Sequence, residues 1–210
     1  MKDLVVLVAD KNMQFALRGA LGRPDALGIR AISCEFRPHI GRDGGVRATG
    51  VEMLARERRR FAHALLVFDH EGSGADAQQS PTALEAVLNR ELQNQWGEQA
   101  KAIVIAPELD IWVWGSDNAL KESLHWPLGG SIRDWLQRQG FEFDSNGKPL
   151  RPKEALEALV PIHRQPRSSA LYEKITRRIS LRRCADEAFA RLRSALHTWF
   201  PPAHGVGLQE

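Results

Sequence analysis

The stretch Leu4-Val5-Val6-Leu7-Val8 decides the fold class of this chain. A continuous run of branched apolar residues, with no polar alternation, is typical of a strand buried on both faces of a sheet. A helical pattern follows over residues 12–21, and Gly22-Arg23-Pro24 ends it. A buried strand followed directly by a helix is the first half of a βαβ unit, so the chain begins like a parallel α/β protein.

The same alternation recurs along the first half of the sequence. Three further strands are predicted, over residues 29–36, 64–68 and 102–106. Helices are predicted between them over residues 46–60 and 83–92, the second with Ser80 as N-cap and Pro81 in its first turn. These elements predict an α/β fold with an open parallel four-stranded sheet and flanking helices.

The second half of the sequence has no convincing strand. Helical patterns cover residues 131–139, 153–159, 169–179 and 181–200. We therefore expect an α/β domain over residues 1–115 and a helical C-terminal extension, residues 116–210, packed on it.

Composition narrows the class of protein. Of 210 residues, 43% are apolar and 26% charged, as in ordinary soluble globular proteins. The longest apolar run, residues 4–9, is too short to cross a bilayer, and the first residues enter a strand directly instead of forming a signal peptide. Cys34 and Cys184 stand far apart, without disulfide or metal spacing. We expect a cytoplasmic protein with no membrane partner.

Ligands of open α/β sheets bind beyond the carboxyl ends of the strands, so the residues that follow each strand are the candidate site. They are mostly polar and acidic: Asp10, Lys11 and Asn12; Arg37, His39, Arg42 and Asp43; Asp69, His70 and Glu71; Glu108 and Asp110.

Asp69 and Glu71 form the centre of this predicted site. In an extended backbone, residues two apart point their side chains the same way. Two adjacent carboxylates repel each other unless a cation lies between them, and a hard ion such as Mg²⁺ relieves that repulsion. Such an ion can activate water and neutralise a phosphate. The alternative is a loop whose acids only cap the next helix.

Other residues keep two interpretations each. Glu108 and Asp110 either line the same cleft above Trp112 and Trp114, or merely favour the start of a helix while the tryptophans belong to the core. His39 with Asp43 offers a base or ligand pair, and the alternative role is structural. Lys11 follows the first strand, where it either binds phosphate or is a surface lysine.

The formal net charge of +3 says little, but its distribution is uneven. Each of two arginine clusters is either a solvated helix face or a contact surface for a phosphate backbone. The clusters are Arg56, Arg58, Arg59 and Arg60, and Arg177, Arg178, Arg182, Arg183, Arg191 and Arg193.

Residues 3–115 resemble the Toprim domain of topoisomerases, primases and OLD-family nucleases. The segment Phe68-Asp69-His70-Glu71 stands where that family carries Asp-x-Asp. The chain is also similar to uncharacterised bacterial Toprim-like proteins of phage-defence loci, including methylation-associated defence systems. The shared pieces are residues 8–13, 68–74, 105–114 and 167–172.

The resemblance implies a component of a bacterial anti-phage defence system that binds Mg²⁺ or Mn²⁺ and DNA or RNA. The implied activity is that of a nuclease, with Asp10, Asp69 and Glu71 as catalytic residues. Glu108 and Asp110 would join Asp69 and Glu71 as metal ligands. The implied phosphate-binding residues are Lys11, Arg42, Arg177, Arg178 and Arg182.

One departure from the family pattern leaves the activity open. Toprim domains carry a catalytic Glu after the first strand, and a gapless match places Ala9 there with Asp10 behind it. Either Asp10 replaces that Glu, or the general acid/base is missing. The chain would then be a catalytically inactive adaptor for other defence proteins. A small-molecule phosphohydrolase is a third hypothesis.

Overall fold

The computed structural model describes residues 1–75, 77–164, 166–182 and 184–202. It confirms the predicted α/β fold with an open parallel sheet of four strands and flanking helices. The strands are β1 (Lys2–Val8), β2 (Cys34–Pro38), β3 (Phe61–Asp69) and β4 (Ala100–Ile105), and their order in the sheet is β2-β1-β3-β4.

The strand β1 lies between two parallel neighbours, with Leu4 beside Cys34 on one side and Val5 beside Ala64 on the other. Its residues 4–8 are at most 1% exposed. Burial on both faces explains why the run carries no polar alternation.

Three helices connect the strands: α1 (Lys11–Leu21), α3 (Arg42–Ala55) and α4 (Pro81–Trp96), and a short helix α2 (Pro24–Leu27) follows α1. The predicted N-cap of α4 is confirmed, because Ser80 Oγ accepts a hydrogen bond from the Ala83 N–H. A 3₁₀ turn, Gly97–Gln99, leads from α4 into β4.

The bounds of several predicted elements were wrong. The second strand starts at Cys34 instead of residue 29, because α2 and a connecting segment use the residues before it. The third helix starts at Arg42, inside the predicted glycine-rich loop, and ends before the arginine cluster at residues 56–60. A side chain at Gly45 would collide with the His39 ring, so this glycine allows the helix to begin close to the preceding turn.

The C-terminal region contains six helices among the described residues. They are α5 (Asp110–Val113), α6 (Asp117–Leu124), α7 (Ile132–Arg138), α8 (Pro152–His163), α9 (Ser169–Thr176) and α10 (Glu187–Trp199). The sequence did not predict α5 and α6, and α10 begins six residues later than expected, with Asp186 as its N-cap.

The helix α9 packs along α1, and its Tyr172 and Ile175 belong to the same buried core as the sheet. The two helices run in the same direction, since Ser169 hydrogen bonds to Asn12 and Glu173 pairs with Arg18. The domain boundary at residue 115 stays a prediction.

No helix among the described residues has the length and apolar character needed to cross a bilayer.

Candidate functional site

The segments that follow β3 and β4 are hydrogen bonded to each other. The His70 N–H donates to the Ile105 carbonyl (2.7 Å), and the Glu71 N–H donates to the Pro107 carbonyl (3.0 Å). The Leu109 N–H donates to Asp69 Oδ1 (2.8 Å). These bonds hold the ends of the two strands together, so the acids on the two segments face one space.

That space is a cavity of about 410 Å³ at the carboxyl edge of the sheet. It gathers six carboxylates and three cationic side chains from six parts of the chain. The lining residues are Asp10, Asn12, Arg42, Asp43, Asp69, Glu71, Gly72, Glu108, Leu109, Asp110, Lys153, Arg167 and Tyr172. The structure therefore brings together the predicted acidic residues of the first, third and fourth strand ends, with Asp43 from the start of α3.

Asp69, the last residue of β3, lies at the centre of this charge. Burial raises its pKa well above the usual value, and the negative charges of Asp43, Glu108 and Asp110 raise it further. The hydrogen bond from Leu109 opposes the shift. The charged form of this carboxyl is therefore disfavoured unless a cation lies beside it.

Glu108 is 9% exposed, and its pKa is raised to about 7 by burial, then by Asp110 and Glu71. Lys153 and Arg167 act in the opposite direction but do not cancel the shift. No described residue donates a hydrogen bond to the Glu108 carboxylate. The group is therefore free to accept an external ligand.

Asp43 supports the backbone of Asp69. Its Oδ1 accepts a hydrogen bond from the Asp69 N–H (2.8 Å). Burial raises the pKa of Asp43, and its hydrogen bonds to backbone N–H groups partly offset that effect. The preceding residue, Arg42, has a φ of 50°, in the left-handed region that non-glycine residues rarely occupy. Such strain is often found at binding sites, and Arg42 lies at the rim of the cavity.

Asp110 is held by two residues from the C-terminal region. Tyr172 Oη donates to Asp110 Oδ1 (2.7 Å), and Arg167 Nη2 donates to Oδ2 (3.1 Å). Arg167 Nε also donates to Tyr172 Oη (2.5 Å), which closes the triad. Burial raises the pKa of Asp110, while the bond from Tyr172 and the charge of Arg167 lower it. The C-terminal helices thus complete the wall of the cavity.

Asp10 lines the cavity and caps α1, because its Oδ1 accepts from the Met13 N–H (2.9 Å). Ala9, the position where the Toprim resemblance expects a catalytic Glu, is 2% exposed. A group reaching into the cavity from this strand end can therefore come from Asp10 but not from residue 9. Lys11 begins α1, is exposed and is not part of the cavity wall.

The carboxylates do not form a ready-made metal site. Among the described residues, no group of three or more His, Cys, Asp or Glu side chains is arranged to hold a metal ion. Asp43 and Asp110 accept bonds from other residues, and Asp69 Oδ1 accepts from the Leu109 N–H. Among the described residues, the second oxygen of Asp69 and the carboxylates of Glu71 and Glu108 have no hydrogen-bond donor. Mg²⁺ keeps several waters and usually takes only one or two carboxylates from a protein, so it would not need a preformed group of three.

Three other residues that the sequence analysis considered, His39, Trp112 and Trp114, are not part of the cavity lining. The His39 Nδ1 accepts from the Gly41 N–H (2.9 Å), and its Nε2 lies 3.0 Å from Thr49 Oγ1. His39 and Asp43 therefore bond to different partners. Trp112 and Trp114 are anchors, since their indole N–H groups donate to Asp186 and to the Pro152 carbonyl.

The C-terminal arginines lie at the other end of α9 from the cavity. Arg177 pairs with Glu173 (2.6 Å), Arg178 lies near Glu122 (3.9 Å), and Arg182 donates to the Asp25 carbonyl (3.1 Å). Because α1 and α9 run in parallel, these side chains are about one helix length, roughly 15 Å, from Lys11. Arg183 lies outside the described residues.

Sequence reasoning missed Lys153, Arg167 and Tyr172 as parts of the site. Their helices follow the last strand, so the rule of strand ends does not reach them. Arg167 and Tyr172 do fall in residues 167–172, one of the segments on which the expected resemblance to Toprim-like proteins rests, and that was the one available signal.

Comparison with protein-family models, curated proteins and solved structures gave no match for this chain.

Proposed function

We propose that this chain is a Toprim-like protein of bacterial anti-phage defence that binds Mg²⁺ or Mn²⁺ and nucleic acid at the acidic cavity. A metal-dependent nuclease is the activity that this geometry supports best. The observation that carries the proposal is the crowding of six carboxylates at one sheet edge, with the pKa of Asp69 and of Glu108 raised by burial and mutual repulsion.

Asp69, Glu71 and Glu108 would hold the cation. A divalent ion would relieve the repulsion between these carboxylates, and the negative charge of Asp110 would strengthen the attraction for the ion. When bound, the ion would supply Lewis acidity toward a phosphate oxygen and lower the pKa of a bound water.

The cationic residues of the cavity would orient the phosphate. Arg42 and Lys153, which are far apart in the sequence, both line the cavity and are exposed at its rim. Arg167 is less exposed and is held by hydrogen bonds with Asp110 and Tyr172. Guanidinium groups match phosphate geometry with two donors, and Lys153 adds a point charge. Asp10 would accept or return a proton, through the carboxylate oxygen that does not cap α1.

One specific observation favours the adaptor as second candidate. The position aligned with the family's catalytic Glu is the buried Ala9, and Asp10 spends one oxygen on the Met13 N–H. A protein with this arrangement can bind a cation and a partner without turning over.

Titration of the protein with Mg²⁺ and Mn²⁺ by calorimetry tests the cation site. The wild type is expected to bind one ion, and Asp69→Asn is expected to lose that binding. Glu52→Gln is the matched control, because Glu52 is exposed and pairs with Arg56 on α3, away from the cavity. Equal binding by Asp69→Asn and the wild type would sink the proposal.

Incubation with DNA and with RNA in Mg²⁺ then separates the two candidates. Cleavage that is lost in Asp69→Asn and in Asp10→Asn, but kept in Glu52→Gln, supports the nuclease. Cation binding without cleavage, together with co-purification of proteins encoded beside this gene, supports the adaptor.

A further inference from the structure

The two outer strands of the sheet, β2 and β4, differ in how far their free edges are covered by side chains. On β4, the Ala102 N–H donates to Asn89 Oδ1 (2.9 Å), and the Val104 N–H donates to Glu85 Oε2 (2.9 Å). Arg191 from α10 lies 3.4 Å from the Val104 carbonyl. Side chains from α4 and α10 thus occupy the edge, which is a common protection against pairing with another strand.

The free edge of β2 is less covered: among the described residues, the one side chain that hydrogen bonds to it is Arg37 of the strand itself, at the Phe36 carbonyl. The Leu4 N–H donates to the Ser33 carbonyl and the His39 N–H to the Val8 carbonyl, so the odd-numbered residues of this segment face β1. Because backbone groups alternate sides along a strand, Cys34 and Phe36 turn their N–H groups away from the sheet. Among the described residues, no side chain accepts from either N–H.

Exposure confirms that this edge is open. All five residues of β2 are partly or fully exposed, whereas five of the six residues of β4 are buried. Ile40, two residues beyond β2, is 101% exposed, the largest value among the exposed apolar residues. The β2 edge and the exposed side chain of Ile40 therefore form a surface on which another strand could pair.

The sequence of β2 is complementary to itself in one register. If a second strand of the same sequence pairs antiparallel about Phe36, then Phe36 faces Phe36, and Glu35 faces Arg37 on both sides of the two-fold axis. Residues directly opposite share a face of the sheet, so these two cross-strand pairs of opposite charge extend the ion pair that Glu35 and Arg37 already form within each chain. Cys34 faces Pro38 of the other copy. Proline has no N–H to donate, but its carbonyl accepts from the Cys34 N–H, so no N–H group in this register is left without an acceptor.

We propose that a second copy of this chain pairs with the free edge of β2, antiparallel and centred on Phe36, to form a two-fold dimer with one continuous eight-stranded sheet. The two Phe36 residues exchange N–H···O=C bonds, and each Cys34 N–H donates to the Pro38 carbonyl of the other copy. The Phe36 carbonyl now accepts from Arg37 Nη1 (3.1 Å), and the other copy's N–H replaces that bond.

This arrangement has a consequence for the acidic cavities. The strands of the two copies run in opposite directions, so the two carboxyl edges, and with them the two cavities, lie on opposite sides of the combined sheet. Each cavity therefore acts on its own ligand, and the dimer is independent of whether the cavity binds a metal.

Sedimentation equilibrium of the full chain over a range of concentrations tests the proposal. The wild type is expected to be a dimer, and Arg37→Glu and Glu35→Arg are each expected to raise the dimer dissociation constant at least about tenfold, because like charges then face each other. The Glu35→Arg/Arg37→Glu double variant, and a mixture of the two single variants, are expected to dimerise again. Glu52→Arg and Arg56→Glu, an exposed pair on α3, are the matched controls.

Amide exchange gives a readout that does not depend on the variants folding. The Phe36 N–H is expected to be protected in the dimer and to exchange faster on dilution. A wild type that stays monomeric up to millimolar concentration overturns the proposal, as does a dimer whose Phe36 amide is unprotected. If the wild type is monomeric and a variant ending at residue 202 dimerises, residues 203–210 cover the edge, and the proposal fails for the full chain.

Discussion

The pKa values of the carboxylates are shifted in opposite directions at the two ends of the sheet. At the amino end, the hydrogen bond from Arg30 lowers the pKa of Asp3 to about 2, and bonds from Lys2 and Arg37 lower the pKa of Glu35 to about 2. At the carboxyl end, burial and neighbouring acids raise the pKa of Glu108 to about 7. The first group of acids has its cations within the chain, while the second group must find part of its positive charge elsewhere.

This difference separates structural acids from candidate functional ones. An ion pair supplied by the chain is part of the fold and contributes modestly to stability when it is exposed. An excess of carboxylates in a half-closed cavity opposes folding, and such arrangements are concentrated at functional sites. Three experiments test how sharp this contrast is.

Asp69→Asn is expected to have the largest effect. Removing the charge should raise the free energy of unfolding at pH 8 by on the order of 2 kcal/mol, since the amide keeps the bond from Leu109 without the repulsion. Mg²⁺ should raise the melting temperature of the wild type and not that of the variant. Thermal and urea unfolding measure both effects, with Glu52→Gln as control. A variant less stable than the wild type would show that Asp69 is structural, like the acids of the amino end.

Tyr172→Phe is expected to destabilise the protein by about 1–3 kcal/mol. The change leaves Asp110 Oδ1 without its donor and Arg167 Nε without an acceptor, in a buried setting. Urea unfolding measures the loss. Ser169→Ala, on the same helix, removes a hydroxyl that bonds only to Asn12 and should lose less. Equal losses would mean that the Asp110 triad is no more than an ordinary surface contact.

Glu108→Gln is expected to change the pH dependence of stability by about 1 kcal/mol, a figure reduced for the solvent that reaches the cavity. A carboxyl whose folded pKa is raised destabilises the protein as pH rises from its unfolded pKa, 4.5, to about 7. The wild type should therefore lose more stability than the variant between pH 5 and pH 8.

Asp3→Asn is the control from the amino end. The pKa of Asp3 is lowered, so its contribution is complete above 3.8 and is lost only as pH falls toward 2. It should not alter the change between pH 5 and pH 8. The same slope in Glu108→Gln as in the wild type would remove Glu108 from the set of strained acids.

The sequence predicted the sheet better than the ends of its elements. The run from Leu4 to Val8 was identified because a strand buried on both faces has no polar residues. The start of β2 and of α3 was missed because α2 and the close approach of His39 to Gly45 depend on packing between segments, which no local pattern records.

The candidate site was likewise predicted in its main residues and missed in its detailed contacts. Asp10, Asp69, Glu71, Glu108 and Asp110 were found from one rule, that strand ends of a parallel sheet meet at one edge. The rule gives no distances, so it could not show that Asp43 bonds to the Asp69 backbone while His39 turns to Thr49.

The sequence by itself therefore determined the architecture and the acidic character of one sheet edge, because hydrophobic periodicity and chain direction are local properties. Only the tertiary structure decided which acids are neutralised within the chain and which are not. Arg30 reaches Asp3, and Arg167 and Tyr172 reach Asp110, over separations of 27, 57 and 62 residues. Charge pairing over such separations depends on where whole helices pack, and so do the raised pKa values of Asp43, Asp69, Glu108 and Asp110.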